Sequence, residues 1–232
     1  NIPGIDHVLT SDQIFSLSKL PQKLLIVGGG YIACEFASIF TGFGSKVTQF
    51  CRGETILRGF DSEATTLVAN QMKSNGVDLQ YGVNVVEIDN IGNSFRITDT
   101  YGRVEDFDQI LFATGRLPNS NGLQNGSAGL FVGDNGEIVV NKYSQTSIDS
   151  IYAIGDLTNR KQLTPIAIKE AMAFVQTAFF NNPTCLDYSS IPTAIFTKPE
   201  MGTVGLSEEV AAERGPVDIF TTYFKPMRSG FA

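Results

Sequence analysis

The sequence predicts an α/β fold in which a parallel sheet is joined by a small antiparallel meander. Three observations carry this. An apolar run, Leu24-Leu25-Ile26-Val27, feeds straight into Gly28-Gly29-Gly30 and a helical pattern. A second apolar run, Lys46 to Phe50, follows that helix, and several short stretches of two-residue period come after it. Strand, glycine turn, helix and strand, in that order, are the opening of a Rossmann-like NAD(P)-binding domain.

The elements read in order as follows. Residues 1 to 22 form a leading segment with a helix-like stretch from Ser11 to Leu17, which Ser11 or Asp12 could cap. Gly42 and Gly44 punctuate the end of the first long helix. Asp61 can cap a second helix that runs to about Asn75 and stops at Gly76. The period-2 runs are Asp78-Leu79-Gln80-Tyr81, Asn84 to Ile88, Phe95-Arg96-Ile97-Thr98 and Asp108 to Ala113, which suggest a meander closing onto a parallel sheet.

From Asn119 to Gly136 the chain is rich in Gly, Asn and Ser, the composition of a loop at a domain boundary. Ile138-Val139-Val140 and Ile151-Tyr152-Ala153-Ile154 then read as strands. Pro165 to Phe180 reads as a helix with Pro in its first turn and Asn181-Asn182-Pro183 as its stop. The pattern changes again near Ile191, with Ala194-Ile195-Phe196, a helix containing Glu208 and a last strand from Ile219 to Phe224. The domain division expected from this reading is 1–118, 119–188 and 189–232.

Composition narrows the function classes. A net charge of -7 and a pI near 4.7 argue against nucleic acid as a partner, because that binding needs clustered Lys and Arg on one face. No apolar run approaches the roughly 18 residues that cross a bilayer, so no membrane partner is expected. The three cysteines, Cys34, Cys51 and Cys185, fit neither metal-ligand spacing nor a close redox pair, and point to a reduced, cytoplasmic setting. Cys34 reads as a small buried apolar residue. His7, the single histidine, reads as an exposed linker residue.

Each small residue of the glycine turn has a mechanical role. Gly28 permits the sharp turn out of the strand, Gly30 lets backbone N–H groups approach a pyrophosphate, and Ala33 lets helix and strand pack closely. The helix N-terminus adds free donors and a favourable dipole. Tyr31 and Ile32 belong to the same first turn of helix, and Glu35 follows; a carboxylate at this end could simply complement the helix dipole. Nicotinamide enzymes that select NAD place a carboxylate after the second strand, where this chain has Cys51-Arg52 and then Arg58. Guanidinium groups there offer donors and charge to a 2′-phosphate, so NADPH is the expected cofactor.

Taken together, Gly28 through Glu35, Arg52 with Arg58-Gly59-Phe60-Asp61, Ala113-Thr114-Gly115-Arg116-Leu117-Pro118-Asn119 and Tyr152-Ala153-Ile154-Gly155-Asp156 resemble the glutathione reductase branch of the class I pyridine nucleotide-disulfide oxidoreductases. The likeness continues through Leu163-Thr164-Pro165 and Thr193 to Glu200. It implies an NADPH-binding domain at 1–118, a central FAD-contacting segment at 119–188 and a truncated dimerisation segment at 189–232. It also implies that Tyr31 gates the nicotinamide pocket and that Glu35 lies near the nicotinamide and pairs with a lysine of the flavin domain. Arg52 and Arg58 would take the 2′-phosphate, and Gly115 and Arg116 would line the NADPH side. Asp156, beside Gly155, would bond the FAD ribityl or pyrophosphate region; without the resemblance it is equally a turn-forming Asp. The backbone of Leu163 and Thr164 would approach the flavin ring.

In this family hydride passes from NADPH to FAD and on to a disulfide, with oxidised glutathione or a similar small disulfide as substrate and a homodimer as the working assembly. Trypanothione or mercuric reductase-like activity and a non-catalytic nucleotide-binding module are the competing readings. The sequence contains no second glycine fingerprint, no close cysteine pair and no His-Pro segment, and begins without Met, so it reads as a partial chain unable to complete the reaction alone. Met172 stands about where some glutathione reductases carry a substrate-contacting arginine.

Overall fold

The computed structural model describes residues 2–123 and 129–224. Residues 124–128 of the expected loop and 225–232 of the expected dimerisation segment lie outside the described residues. The chain divides into two compact units, Asn1–Thr114 with Ser190–Ala232, and Gly115–Ser189.

The first unit is built on a four-stranded parallel sheet in the order β3-β2-β1-β7. Its strands are β1 (Lys23–Val27), β2 (Lys46–Cys51), β3 (Asp78–Tyr81) and β7 (Gln109–Phe112). Four of the five β1 residues are buried, as a central strand covered on both faces requires. The two-residue alternation decides which face each side chain joins. Leu24, Ile26, Val47, Leu79 and Leu111 pack with helices α1 (Tyr31–Gly42) and α2 (Ser62–Ser74). Leu25, Val27, Phe50 and Ile110 pack instead with Val85, Ile88, Ile97 and Phe107 of the antiparallel meander. That meander consists of β4 (Val85–Asn90), β5 (Phe95–Asp99) and β6 (Val104–Phe107), in that order.

Helix ends follow local chemistry. The Asp61 carboxylate accepts from the N–H groups of Glu63 (3.1 Å) and Ala64 (3.2 Å) and starts α2, and Gly76 at φ +103 ends the turn beyond it. Gly44 does the same after α1 at φ +94. Four details differ from the sequence reading. Asp78–Tyr81 joins the parallel sheet through β2, and the third strand of the meander is Val104–Phe107, whose charged Glu105 and Asp106 hide its alternation. The Ser11–Leu17 stretch shortens to a 3₁₀ turn at Gln13–Ser16; Asp12 sits at its N-cap without a side-chain cap bond. The leading segment also pairs through Leu9 with the free side of β7, the Leu9 N–H donating to Ile110 O at 2.8 Å.

The same unit holds the antiparallel pair β8 (Thr193–Ile195) and β9 (Met201–Thr203), followed by the short helix α4 (Glu208–Ala212). Ile195 and Met201 enter the helical-side core, so this pair is tied into the nucleotide-type sheet. Ile219 to Phe224 is not a strand: no described strand runs beside it to take its backbone bonds, and Phe220 is 92% exposed.

The second unit is mostly irregular around helix α3 (Thr164–Phe179). Its two expected strands reduce to single bridges, Val132 with Ile138 and Gln145 with Tyr152. The cause lies between them: the Asn141 carboxamide oxygen accepts from the N–H groups of Tyr143 and Gln145 and Ser144 turns at φ 64, so local turn bonds replace a ladder. Tyr152 packs against Phe174 of α3 with ring centroids 4.9 Å apart in a tilted arrangement.

Candidate functional site

In the first unit the sheet order reverses direction of growth at β1, with β2 on one side and β7 on the other. In open α/β sheets the crevice beyond the carboxyl ends of such strands is where ligands bind. The Gly28-Gly29-Gly30 turn sits at that end of β1. Gly28 adopts φ +140, and a Cβ there would lie 2.3 Å from the Ala113 carbonyl oxygen, so no other residue fits between the two strand ends. Ala33 is fully buried against this turn, which is the close approach its small size permits.

Gly30 differs in kind. Its φ is -79, an added Cβ would meet nothing within 4 Å, and it caps α1 without any side-chain acceptor. The first N–H donors of α1 therefore face an open cradle, the geometry suited to a phosphate. Tyr31 and Ile32 occupy the first turn, half-buried against the core. Beneath the cradle the Gln49 carboxamide, fully buried in β2, donates to Gly28 O at 2.9 Å. Gln49 was not singled out from sequence; a polar residue in the middle of an apolar strand was the available signal.

Arg52 and Arg58 bracket the loop after β2, and both are exposed. The loop is fastened to the turn because Leu57 N–H donates to Gly29 O at 2.6 Å while Ile56 and Leu57 are buried. Neither arginine makes a side-chain hydrogen bond or ion pair among the described residues, so two guanidinium groups stand unengaged at one edge of the cradle. Glu35 accepts from the Phe196 N–H at 2.9 Å, tying α1 to the end of β8. That backbone contact is its hydrogen bond among the described residues.

Cys34 and Cys51 lie under the turn, with their sulfurs 3.9 Å from Gly29 O and 3.6 Å from Gly28 O. Burial pushes the Cys34 thiol up to about 12 and the Cys51 thiol up to about 11. Both are thiols at neutral pH and serve as packing. Cys185 is exposed, and His7 is exposed with its ring stacked on Phe95.

In the second unit, Gly115 and Arg116 begin the segment, and the Arg116 guanidinium lies 3.6 Å from the Asp156 carboxylate, each about half exposed. Gly155 and Asp156 lie on a 3₁₀ turn, Gly155–Thr158. Leu163 is the N-cap of α3, with no side-chain acceptor; its own N–H donates to Lys161 O, Pro165 has no N–H, and the Ile166 and Ala167 N–H groups donate to Leu163 O, so among the described residues the Thr164 N–H is the donor this helix start offers. The turn that carries Asp156 is tied to α3 through a carboxylate the sequence reading missed. Glu170 is 2% exposed; it accepts from Gly155 N–H at 2.6 Å and from the Tyr188 hydroxyl, and forms an ion pair with the Arg160 guanidinium at 3.2 Å. Burial and the bond to Glu170 push the Tyr188 phenol up to about 12. Four-residue spacing from buried Ile166 places Glu170 on the inward face of α3, which was the signal in the sequence. Met172 is 65% exposed on the same helix.

Comparison with known proteins agrees with this arrangement. The pyridine nucleotide-disulphide oxidoreductase family model matches residues 1–171, and the dimerisation domain of the same family matches 191–232. Glutathione reductase of Burkholderia cepacia is 41% identical over the whole of this chain and 52% of its own length. The chloroplastic/mitochondrial glutathione reductase of Pisum sativum is 46% identical over 99% of this chain and 42% of its own. Trypanothione reductase of Leishmania donovani is 40% identical over 97% and 47%. Among solved structures, a Cu(II) complex of the HOCl-induced flavoprotein disulfide reductase of Escherichia coli superposes with a TM-score of 0.88 at 32% identity, covering 93% of this chain and 49% of that one. The chain thus spans about half the length of the curated relatives it matches. Glutathione reductases and their family use FAD and NADPH. With the glycine cradle, the uncapped helix ends and these matches in agreement, the chain belongs to the pyridine nucleotide-disulphide oxidoreductase family and resembles its glutathione and trypanothione reductase members.

Proposed function

We propose that this chain is the NADPH-binding and FAD-contacting part of a glutathione reductase-like enzyme that works as a homodimer on a small disulfide. The observation that carries the cofactor choice is the pair of unengaged guanidinium groups, Arg52 and Arg58, beside a cradle in which a Cβ at Gly30 would meet nothing. Gly28, Gly30, Ile32 and Ala33 would receive the pyrophosphate, with the first N–H groups of α1 as donors. Arg52 and Arg58 would hold the 2′-phosphate by charge-assisted bonds, which a 2′-hydroxyl could not match. Tyr31 would close over the nicotinamide, and Glu35, fixed by the Phe196 N–H, would present its remaining carboxylate capacity next to it.

In the second unit the residues present also fit a flavin. Asp156 offers a half-exposed carboxylate for the ribityl or pyrophosphate region, and at the start of α3 the Thr164 N–H offers a backbone donor to the ring while the Leu163 N–H is held by Lys161 O. Arg116 would steady Asp156 by the contact already described. When bound, the two cofactors supply hydride and electron-pair transfer toward a disulfide; this chain's own part is to bind, orient and hold charge. Oxidised glutathione is the proposed substrate because the relatives bear that name, and the dimer is proposed from the match of 191–232 to a dimerisation domain.

The experiment is an NADPH oxidation assay on the full-length gene product with oxidised glutathione and, separately, trypanothione disulfide. Faster turnover with oxidised glutathione supports the reading. Preference for trypanothione disulfide reassigns the substrate, and a flavin-free product that turns over neither disulfide leaves a nucleotide-binding module.

A further inference from the structure

Burying a carboxylate is costly unless donors replace the water it loses, and an apolar side chain could pack α3 equally well. Glu170 nevertheless lies at 2% exposure with two donors and a countercharge converging on it: Gly155 N–H at 2.6 Å, the Tyr188 hydroxyl, and the Arg160 guanidinium as an ion pair at 3.2 Å. The Arg160 guanidinium in turn donates to Thr158 Oγ1 at 3.2 Å and to Ser144 Oγ at 2.8 Å. Thr158 closes the circuit by donating from its hydroxyl to Gly155 O at 2.9 Å. Both backbone polar groups of Gly155 are therefore held by side chains, the N–H by Glu170 and the carbonyl by Thr158.

The consequence falls on the next residue. With the peptide groups on either side of Gly155 fixed, the direction in which Asp156 leaves the turn is fixed too. Gly155 itself is pressed on α3, since φ is +68 and an added Cβ would lie 3.2 Å from Ala167 Cβ. Among the described residues the Asp156 carboxylate has the half-exposed Arg116 pair at 3.6 Å, a type of contact that contributes little, and its carbonyl accepts from the Asn159 N–H within the turn. Its aim comes from below.

We propose that Glu170 is the positioning residue of the flavin-facing turn: through Gly155 it aims the Asp156 carboxylate relative to the N-terminus of α3. This rests on the reading of Asp156 as a flavin contact. It assigns Glu170 a role of alignment, with no contact to the cofactor.

The test is a double-mutant cycle in the full-length gene product, titrating apoprotein with FAD and following quenching of flavin fluorescence. Asp156→Ala weakens FAD binding if the flavin reading holds. Glu170→Ala then raises the FAD dissociation constant roughly 10- to 100-fold, the usual loss when an outer partner that orients a ligand is removed. Combined with Asp156→Ala it adds no further loss, because its effect passes through Asp156. Glu170→Gln, which still accepts from Gly155 N–H, recovers most of the affinity, and NADPH affinity stays unchanged throughout. Unaltered FAD affinity in Glu170→Ala beside a weakened Asp156→Ala overturns the proposal, as does simple additivity of the two. An unaffected Asp156→Ala would instead overturn the flavin reading, and the inference with it. Should Glu170→Ala fail to fold, Tyr188→Phe removes one of its two hydrogen-bond donors and takes its place in the cycle, with a few-fold loss expected and no loss overturning the proposal.

Discussion

Replacing Arg52 and Arg58 together by leucine probes cofactor choice in isolation, because neither side chain has a partner among the described residues to leave behind. A charge-assisted contact to phosphate is worth about 1.5–3 kcal/mol. Both arginines are exposed, so screening places each near the low end, about 1.5 kcal/mol, or roughly tenfold in affinity. The pair together should then cost roughly 10²-fold in NADPH affinity. NADH, which lacks the phosphate, should lose almost nothing. Thermal stability should also hold, since surface substitutions away from special features change stability by about 0.5 kcal/mol or less. Calorimetric titration of parent and double variant with each nucleotide reads all of this. Raising salt from about 0.05 to about 0.5 M should weaken NADPH binding to the parent and barely affect the variant. An unchanged NADPH to NADH ratio, or equal losses for both nucleotides, would refute the reasoning.

Other outcomes follow from individual residues. Gly28→Ala combines a backbone angle that side chains avoid with a Cβ 2.3 Å from Ala113 O, so it should cost about 2–5 kcal/mol in urea unfolding. Gly30→Ala should leave that unfolding curve in place yet weaken NADPH, because its methyl group enters the open cradle. Loss of stability in both variants alike would contradict this contrast. Asp99 is buried, which by itself raises its pKa, but the N–H groups of Arg103 and Tyr101 and the Arg103 guanidinium outweigh burial and hold its carboxyl below the ordinary range. Its contribution is present above the unfolded value of about 3.9 and is lost as pH falls through the depressed folded value. Acid titration of stability should flatten in Asp99→Asn; an unchanged acid limb would count against the pairing. With Cys34 and Cys51 held as buried thiols, maleimide should modify Cys185 first, and rapid labelling of all three in the native chain would be the contrary result.

The glycine turn, the Asp61 cap and the parallel strands β1 and β2 were legible because each has a local cause: a positive φ, an acceptor for free N–H groups, an apolar run. The meander was legible as a type but not in membership. Whether Asp78–Tyr81 joins β2 or turns back depends on tertiary pairing, and Glu105 and Asp106 mask the alternation of the strand that does join. The bridges at Ile138 and Tyr152 were overread as strands because β-branched runs attract that assignment even where Asn141 provides nearer hydrogen bonds. Of the candidate site, Arg52 and Arg58 could be found from the residues alone. Glu170 and Gln49 could not be ranked, since their importance lies in backbone groups of Gly155 and Gly28 that are distant in sequence.

The central claim is that the cradle of the first unit holds a 2′-phosphorylated nicotinamide nucleotide. Isothermal titration of the chain with NADPH and NADH measures it directly. Saturable NADPH binding, with NADH weaker by roughly 10²-fold, is the predicted result; equal affinities, or no heat with NADPH, would contradict it.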